Sequence, residues 1–525
     1  MKYKKLEQRL NRLYQTGTNP FADSRIGLEK ESLRVNRQGT IAKTPHPRAL
    51  GSALTHPHIT TDYSEALLEL ITPPMATMAE ALDFLKSLHK FVYDNIQDEI
   101  IWATSMPCVV EGEAGIPVAQ YGSSNVGRMK TVYRQGLGYR YGKVMQVIAG
   151  VHYNYSLPEL FWSDYQESEG DRGEPEDFRN RHYFGLIRNL QRYGWLIPYL
   201  FGASPAVCKS FLSGHTHHRL EPFNQNTFYE PYATSLRMGD IGYTNAKEGE
   251  TGVKVVYDDV MSYVESLSHA INTPCQQYAQ LGVKVAGEYR QLNPNILQIE
   301  NEYYSTVRPK QILEGLEKPS LALKRRGVRY IELRSIDVNA FDPLGINLQQ
   351  LRFLEAFMLF CLVQDSPVIG PTEQANINWN LTATAHRGRD PQLQLRCGDK
   401  QVSLKDWAED ICQAMAGICE ILDIGCPERP YSESLAVLQE VARDPELTPS
   451  ARMLAEMRDN NEGFYDFALR KSNEHREYFA QLQAADEQQA LFRTMAENSL
   501  QKQQEIEASD SVDFDTFLQN YFAQA

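Results

Sequence analysis

The stretch Ile26–Val35, IGLEKESLRV, is the most restrictive feature of the chain. Read as a strand, it alternates. Gly27, Glu29, Glu31, Leu33 and Val35 share one face, and Ile26, Leu28, Lys30, Ser32 and Arg34 share the other. Glu29 and Glu31 therefore point the same way, about 6.7 Å apart at the backbone, where like charges repel. A fold that accepts this strand must turn the glutamate face to water or supply a cation that both carboxylates share. The residues alone leave both readings open.

The theme recurs along the chain. ITTDYSEALLELITPP supplies Asp62, Glu65 and Glu69, with Leu67, Leu68, Leu70 and Ile71 flanking Glu69 as in a packed strand. KVMQVIAGVHYNYSLP alternates over its length, with Val147, Ala149, Val151, Tyr153 and Tyr155 opposite Gln146, Ile148, Gly150, His152 and Asn154. NILQIENEYYSTVRP reads as a strand with Gln298, Glu300, Glu302 and Tyr304 on one side. GVRYIELRSIDVN sets Tyr330, Glu332 and Arg334 against Ile331 and Leu333. A desolvated, unpaired carboxylate costs several kcal/mol or takes up a proton. Acidic groups on several strands call for more positive charge than the nearby arginines supply. Hard divalent cations, Mg²⁺ or Mn²⁺, suit oxygen ligands with one imidazole. A lone histidine such as His152 equally serves as a core group. HTHH at His215–His218 follows a glycine in a polar loop and is not taken as a site.

Helical periodicity marks Met75–Ile96 after the strand-ending TPP, and HYFGLIRNLQRYGWLIPYLFGAS, and the opening MKYKKLEQRLNRLYQ, which lacks the apolar run of a signal peptide. RMKTVYRQGLGYRYG is expected to start as a helix and end in a glycine-rich turn. From about Pro343 the chain reads as largely helical, with LQQLRFLEAFMLFCLVQ the clearest element and the tail a surface helix. Strands in the first two thirds, separated by helices and long loops, predict an α+β fold with an antiparallel or mixed sheet. The eight cysteines form no CxxC pair, so neither a zinc ribbon nor a disulfide framework is expected. No GxxxxGK[ST], GxSxG or HExxH occurs. With 53 basic against 67 acidic side chains the net charge is −14, which offers nucleic acid and anionic membrane no long-range attraction. No apolar run is long enough to span a bilayer, and a cytoplasmic protein is expected.

IGLEKESLRVN, HPRALGSALTHPHITTDYSEALLELITP, WATSMPC, AQYGSSNVGRMKTVYRQGLGYRYG, QVIAGVHYNYSLP, WLIPYLFGASPAVC, YATSLRMGDIGYTN, LQIENEYYSTVRPK and GVRYIELRSIDVNAFDPLGI together resemble the glutamate–cysteine ligases of proteobacterial type, in family order and over almost the whole chain. The resemblance is weakest between Glu373 and Pro449 and in the tail. It implies a relative of glutamine synthetase, with an antiparallel sheet forming a funnel-like active site surrounded by helices. It implies a single domain over 1–525, with a strand-rich core at 1–342 and a helical part at 343–525. The implied reaction joins the γ-carboxylate of L-glutamate to the amine of L-cysteine with ATP and Mg²⁺ (or Mn²⁺), the first step of glutathione synthesis. The implied metal ligands are Glu29, Glu31, Asp62, Glu69, His152 and Glu332. Arg237 and Arg334 would face glutamate or the transferred phosphate. Tyr243 and Tyr304 would hold the cysteine carboxylate, and Tyr133 and Leu137 would lie near its side chain. Arg128, Lys130, Arg308 and Lys310 are further phosphate candidates, each equally readable as a surface charge. Alternatives are a glutamate ligase for another amine, a metal-dependent phosphohydrolase, and a non-catalytic binding protein.

Overall fold

The computed structural model describes residues 3–15, 17–212, 219–242, 254–483 and 485–524. Its centre is a seven-stranded sheet in which every neighbour runs antiparallel. The strands are β1 (Arg25–Val35), β2 (Ile59–Thr61), β3 (Leu67–Ile71), β4 (Ile100–Ile101), β5 (Val151–Ser156), β6 (Val307–Lys310) and β7 (Tyr330–Ile336). Their order is β6-β7-β5-β1-β3-β2, with β4 paired to the end of β1.

One face of the sheet is core. Ile26, Leu28, Leu68, Leu70, Val151, Tyr153, Tyr155, Ile331 and Leu333 are all buried. The two cations of β1 that share this face are each matched. The buried Lys30 ammonium lies 2.9 Å from His89 Nε2, and His89 Nδ1 lies 2.8 Å from the Leu85 carbonyl, so Nδ1 donates and Nε2 accepts. Arg34, with no exposed surface, pairs with Glu99 and donates to the Thr44, Pro45 and Glu65 carbonyls.

Helix α1 (Lys4–Tyr14) and helix α2 (Met78–Asn95) form as their periodicity predicts, the second opened by a capping box between Thr77 and Glu80. Helix α3 (Asn125–Tyr141) departs from expectation, because it runs unbroken through GLG. Gly136 serves close packing here: a Cβ there would overlap the Gln298 amide. Helix α4 (Pro175–Tyr193) covers most of the expected helical stretch, and a short helix Leu196–Phe201 completes it. Helix α5 (Leu348–Val363) is buried at every position from Gln350 on except Arg352. It reaches the back of the sheet at Glu355, which accepts a 2.6 Å hydrogen bond from Tyr431 and whose charge bears on Tyr155 of β5.

Three further expectations are corrected. Strand alternation over 143–156 extends only from Val151, since Val144–Val147 is a 3₁₀ turn. The stretch around Gln298 and Glu302 is loop and 3₁₀ turn, with a strand only from Val307. Its alternation has another cause: Glu302 accepts from Arg140 and Tyr141 at 2.8 Å each, and Glu300 from the Ser320 N–H at 2.7 Å. Thirdly, Cys108 and Cys208 form a disulfide, with Cα atoms 5.5 Å apart. Cys361, Cys412 and Cys419 are buried thiols.

After β7 the described chain is helical, apart from a hairpin of Gln394–Cys397 and Lys400–Ser403. It includes helix α6 (Pro371–Arg387), helix α7 (Asp486–Ser509) and helix α8 (Phe514–Phe522). The tail is more than a surface helix. Ser499 of α7 accepts from the Ser52 N–H at 2.9 Å, and Phe514 and Leu518 of α8 are buried beside Val132 and Leu292. Glu507 and Asp510 accept the N–H groups of Ser123 and Asn125 at 2.9 and 2.6 Å, so the tail caps the start of α3. Among the described residues no helix is long and apolar enough to cross a membrane.

Candidate active site

The other face of the sheet gathers the carboxylates. Register sets Glu29 of β1 opposite His152 of β5, Glu31 of β1 opposite Glu69 of β3, and Glu332 of β7 opposite Asn154 of β5. Asp62, half-buried, follows the end of β2. The period of two that aligned Glu29 with Glu31 thus extends sideways across four strands. A like-charged pair directly across two strands, as Glu31 and Glu69 are, destabilises a sheet unless something offsets it.

His152 is the pivot. Its Nδ1 lies 3.1 Å from Glu29 Oε2 and 3.7 Å from Glu332 Oε1, and its Nε2 lies 3.7 Å from Glu31 Oε1. Nδ1 donates to an ionised Glu29, and Nε2 faces the Glu31 oxygen. Two triads follow, Glu29–His152–Glu332 and Glu31–Glu69–His152, each offering ligand atoms within 4.8 Å of one another. Glu29 also accepts from Asn154 Nδ2 at 2.8 Å, and Glu31 from the Gly150 N–H at 2.7 Å.

The charges pull the pKa values apart. Burial pushes Glu69 well above the usual carboxylate range, with Glu29, Asp62 and Glu31 adding to the shift. Burial and Asp62 likewise raise Glu31 against the opposing pull of His152. Burial also opposes ionisation of Glu332, but Lys310 and Arg334 outweigh it and hold the group well below that range. Glu29 is held low in the same way, by the His152 hydrogen bond. One end of the row is compensated by protein cations, and the end with Glu31, Glu69 and Asp62 is under-compensated.

Cations rim this face. Arg334 NH1 sits 2.9 Å from Glu332 Oε1, and Lys310 Nζ lies 3.1 Å from Oε2, an oxygen with no aligned hydrogen bond. Arg308, in register with Glu332, donates to the Asn301 and Tyr303 carbonyls. Arg237, buried, donates from NH2 to the Arg334 carbonyl at 2.9 Å. The fit is close at Gly150, where a Cβ would overlap the Arg237 guanidinium. Tyr304 is raised above its ordinary pKa by burial, with Arg237 and Arg334 pulling the other way, and its hydroxyl contacts Met238 Sδ at 3.5 Å. A cavity of about 490 Å³ adjoins it, lined in part by Met238, Asp240, Tyr257, Leu333 and Ser335.

Tyr133 and Leu137 lie on α3, half-buried and buried respectively. Lys130, on the same helix, is exposed, its ammonium 5.3 Å over the Tyr121 ring. Arg128 is placed elsewhere, its guanidinium 4.3 Å over the Phe514 ring. Glu65 is saturated by the His46 and Gln120 N–H groups at 2.7 and 2.9 Å and stands outside the triads. Tyr243 and His215–His218 lie outside the described residues.

Sequence reasoning missed Arg134, Asn154 and Gly150 as parts of this site. Arg134 donates to the Asp62 carbonyl and feels the charges of Asp62 and Glu69. Gly150 and Asn154 carried a usable signal, since both share the face of His152.

The model of the family described as Glutamate-cysteine ligase matches residues 10–384. A protein of Alcanivorax borkumensis named glutamate–cysteine ligase is 48% identical over 525 residues, covering 99% of each chain. One of the same name from Pseudomonas aeruginosa is 48% identical over 497 residues, covering 95% of this chain and 94% of its own. Among solved structures, a Francisella tularensis glutamate–cysteine ligase in complex with AMP superimposes with a TM-score of 0.89 at 35% identity, over 95% of this chain and 98% of that one. A bifunctional glutathione synthetase from Pasteurella multocida superimposes with a TM-score of 0.72 at 26% identity, over 94% of this chain and 58% of its own.

Proposed function

The chain belongs to the glutamate–cysteine ligase family, and from that premise we propose how its acidic sheet face carries out the ATP-dependent joining of L-glutamate to L-cysteine. The product is γ-glutamylcysteine, and the reaction is the first step of glutathione synthesis. The observation that supports the assignment of residues is the pair of overlapping triads centred on His152.

The donor set suits Mg²⁺ or Mn²⁺, because it is five carboxylates and one imidazole, hard ligands on rigid strands. Glu29 and Glu332 would hold one ion, with His152 Nδ1–H orienting Glu29, and Glu31, Glu69 and His152 Nε2, with Asp62 beside them, a second. Bound there, divalent ions supply charge neutralisation between the carboxylates and the polyphosphate of ATP.

A carboxylate is a poor acyl donor because its leaving group would be oxide. Transfer of the γ-phosphoryl group of ATP to the glutamate γ-carboxylate gives γ-glutamyl phosphate and ADP. This step brings two anions together. Arg334 and Arg237, on the rim of the cleft, lower that repulsion and the charge that develops on the transferred group. The cysteine amine, free of its ammonium proton, then attacks the acyl carbon, the new C–N bond forms, and phosphate leaves with the C–O bonding pair and takes up the proton that the nitrogen sheds. Tyr304 and Tyr243 hold the cysteine carboxylate, and Tyr133 and Leu137 border its side chain. Lys310, Lys130 and Arg308 serve the phosphates, and Arg128, stacked on the tail, serves α3. The protein's contribution is position and electrostatics, with no covalent enzyme intermediate.

We read 1–525 as one ligase domain, a strand-rich part at 1–342 with the helical 343–525 packed on it. We place the enzyme in the cytoplasm, where ATP is available, with small molecules rather than nucleic acid or membrane as its partners. Coupled ADP release with glutamate, varying the amine and the metal and identifying the product by mass, tests this reading. Cysteine-dependent ADP release that requires Mg²⁺ or Mn²⁺ is expected. Phosphate release without glutamate or amine would contradict it.

A further inference from the structure

Behind the two arginines sits a carboxylate that the mechanism above does not use. Asp337 follows the last residue of β7 and is 2% exposed. Its Oδ2 accepts the Ala203 N–H at 2.9 Å and the Ser204 hydroxyl at 2.6 Å. Its Oδ1 accepts the Ser235 hydroxyl at 2.9 Å and faces Arg237 NH1 at 3.6 Å. Ser204 and Ser235 meet in a parallel bridge, and Ser235 caps the 3₁₀ turn Leu236–Met238 that carries Arg237. One carboxylate therefore joins the end of β7, the segment at 203–204 and the turn bearing the arginine.

Arg237 has little freedom beyond this. NH2 is spent on the Arg334 carbonyl, NH1 contacts Met238 Sδ at 3.3 Å, and the plane lies where Gly150 leaves room. Gly150, which it packs against, donates its N–H to Glu31 at 2.7 Å, so the guanidinium stands at the under-compensated end of the cleft. A buried carboxylate with three neutral donors and one cation is stable only with all of them in place. An asparagine would keep the shape, lose the charge, and set an NH₂ group against donors on one side.

We propose that Asp337 is a positioning residue for the ligase reaction, fixing the Arg237 guanidinium at the Glu31 end of the cleft and acting on turnover through that arginine. The inference rests on the role assigned to Arg237 above.

A double-mutant cycle on the full chain tests it, with kcat and KM for ATP, glutamate and cysteine measured for Asp337→Asn, Arg237→Lys and the double variant. Arg237→Lys should be slow because the planar fork is lost. Asp337→Asn should lower kcat about tenfold or more, since small misplacements of a positioned group cost up to about 100-fold, with KM for ATP changed by less than about twofold. In the Arg237→Lys background the same substitution should change kcat by less than about threefold. A purely structural role predicts the same factor in both backgrounds, and that result would overturn the inference. So would unchanged turnover of Asp337→Asn alongside an impaired Arg237→Lys, which would leave the mechanism standing. An unimpaired Arg237→Lys would remove both. If Asp337→Asn does not fold, Ser204→Ala, which takes away one donor and leaves the charge, is run through the same cycle. A kcat loss of about threefold that vanishes in the Arg237→Lys background supports the inference, and an equal loss in both overturns it.

Discussion

Glu69, a ligand in the metal site proposed above, is placed at a cost in stability. It sits across from Glu31 on the neighbouring strand, and burial plus three nearby carboxylates raise its pKa. Glu69→Gln removes the like-charge contact and keeps the volume. ADP formation should fall about 100-fold or more, the scale on which metal-site ligands and their supports act. The folded state should meanwhile gain about 0.5–1 kcal/mol in urea unfolding without metal. A variant that loses stability and activity together would assign Glu69 a packing role instead. His386 offers a separate test of the electrostatics, away from the triads. Its Nδ1 pairs with Glu230 at 2.8 Å and its Nε2 with Asp240 at 2.9 Å. Burial opposes protonation, but hydrogen bonds to both carboxylates raise its pKa from 6.5 to about 9. A raised folded pKa gives stability that is complete below the unfolded value and lost as pH climbs through the folded one. The native protein should therefore be more stable than His386→Gln by about 1–2 kcal/mol at pH 6, Asp240 being exposed and screened. The difference should close between pH 7 and pH 10 in thermal melts.

Elements differ in how far their residues disclosed them. β1 and β7 were legible because both of their faces are committed, one to core and one to charge, so the period of two survives end to end. Glu29, Glu31, His152 and Glu332 came from the same signal, and the register then made them neighbours. Alternation failed from Asn295 to Tyr304, where Gln298, Glu300 and Glu302 each answer to a different residue, Tyr133, Ser320 and Arg140. Local pattern cannot tell that from a strand. Composition misled at GLG in α3, where glycine serves the approach of Gln298 and not a turn. Gly136→Ala should push that loop off the helix that carries Tyr133 and Leu137. Overpacking of this kind costs about 1–3 kcal/mol. KM for cysteine should rise several-fold with KM for ATP unchanged, whereas a rise for both substrates would mean that the helix has moved as a whole.

At the scale of the molecule, the tail was the least legible part. Nothing in its charged, helical composition signalled that Glu507 and Asp510 cap α3 or that Phe514 and Leu518 fill a pocket beside Val132. The Cys108–Cys208 disulfide was hidden for a similar reason, since its partners lie 100 residues apart in sequence. Truncation after Ser509 removes the Asp510 cap and two buried apolar side chains, a loss of about 3–6 kcal/mol. Lower thermal stability, with a weakened cysteine KM, is the expected outcome. The central claim concerns the sheet face itself, where antiparallel strands bring acids together to share divalent ions. Mn²⁺ titrated into metal-free protein, with the free ion followed by electron paramagnetic resonance, tests it most directly. The account predicts saturable binding that is weakened at least about tenfold in Glu29→Gln and in Glu69→Gln. Native protein that leaves the free-ion signal untouched, or variants that bind as the native chain does, would contradict it.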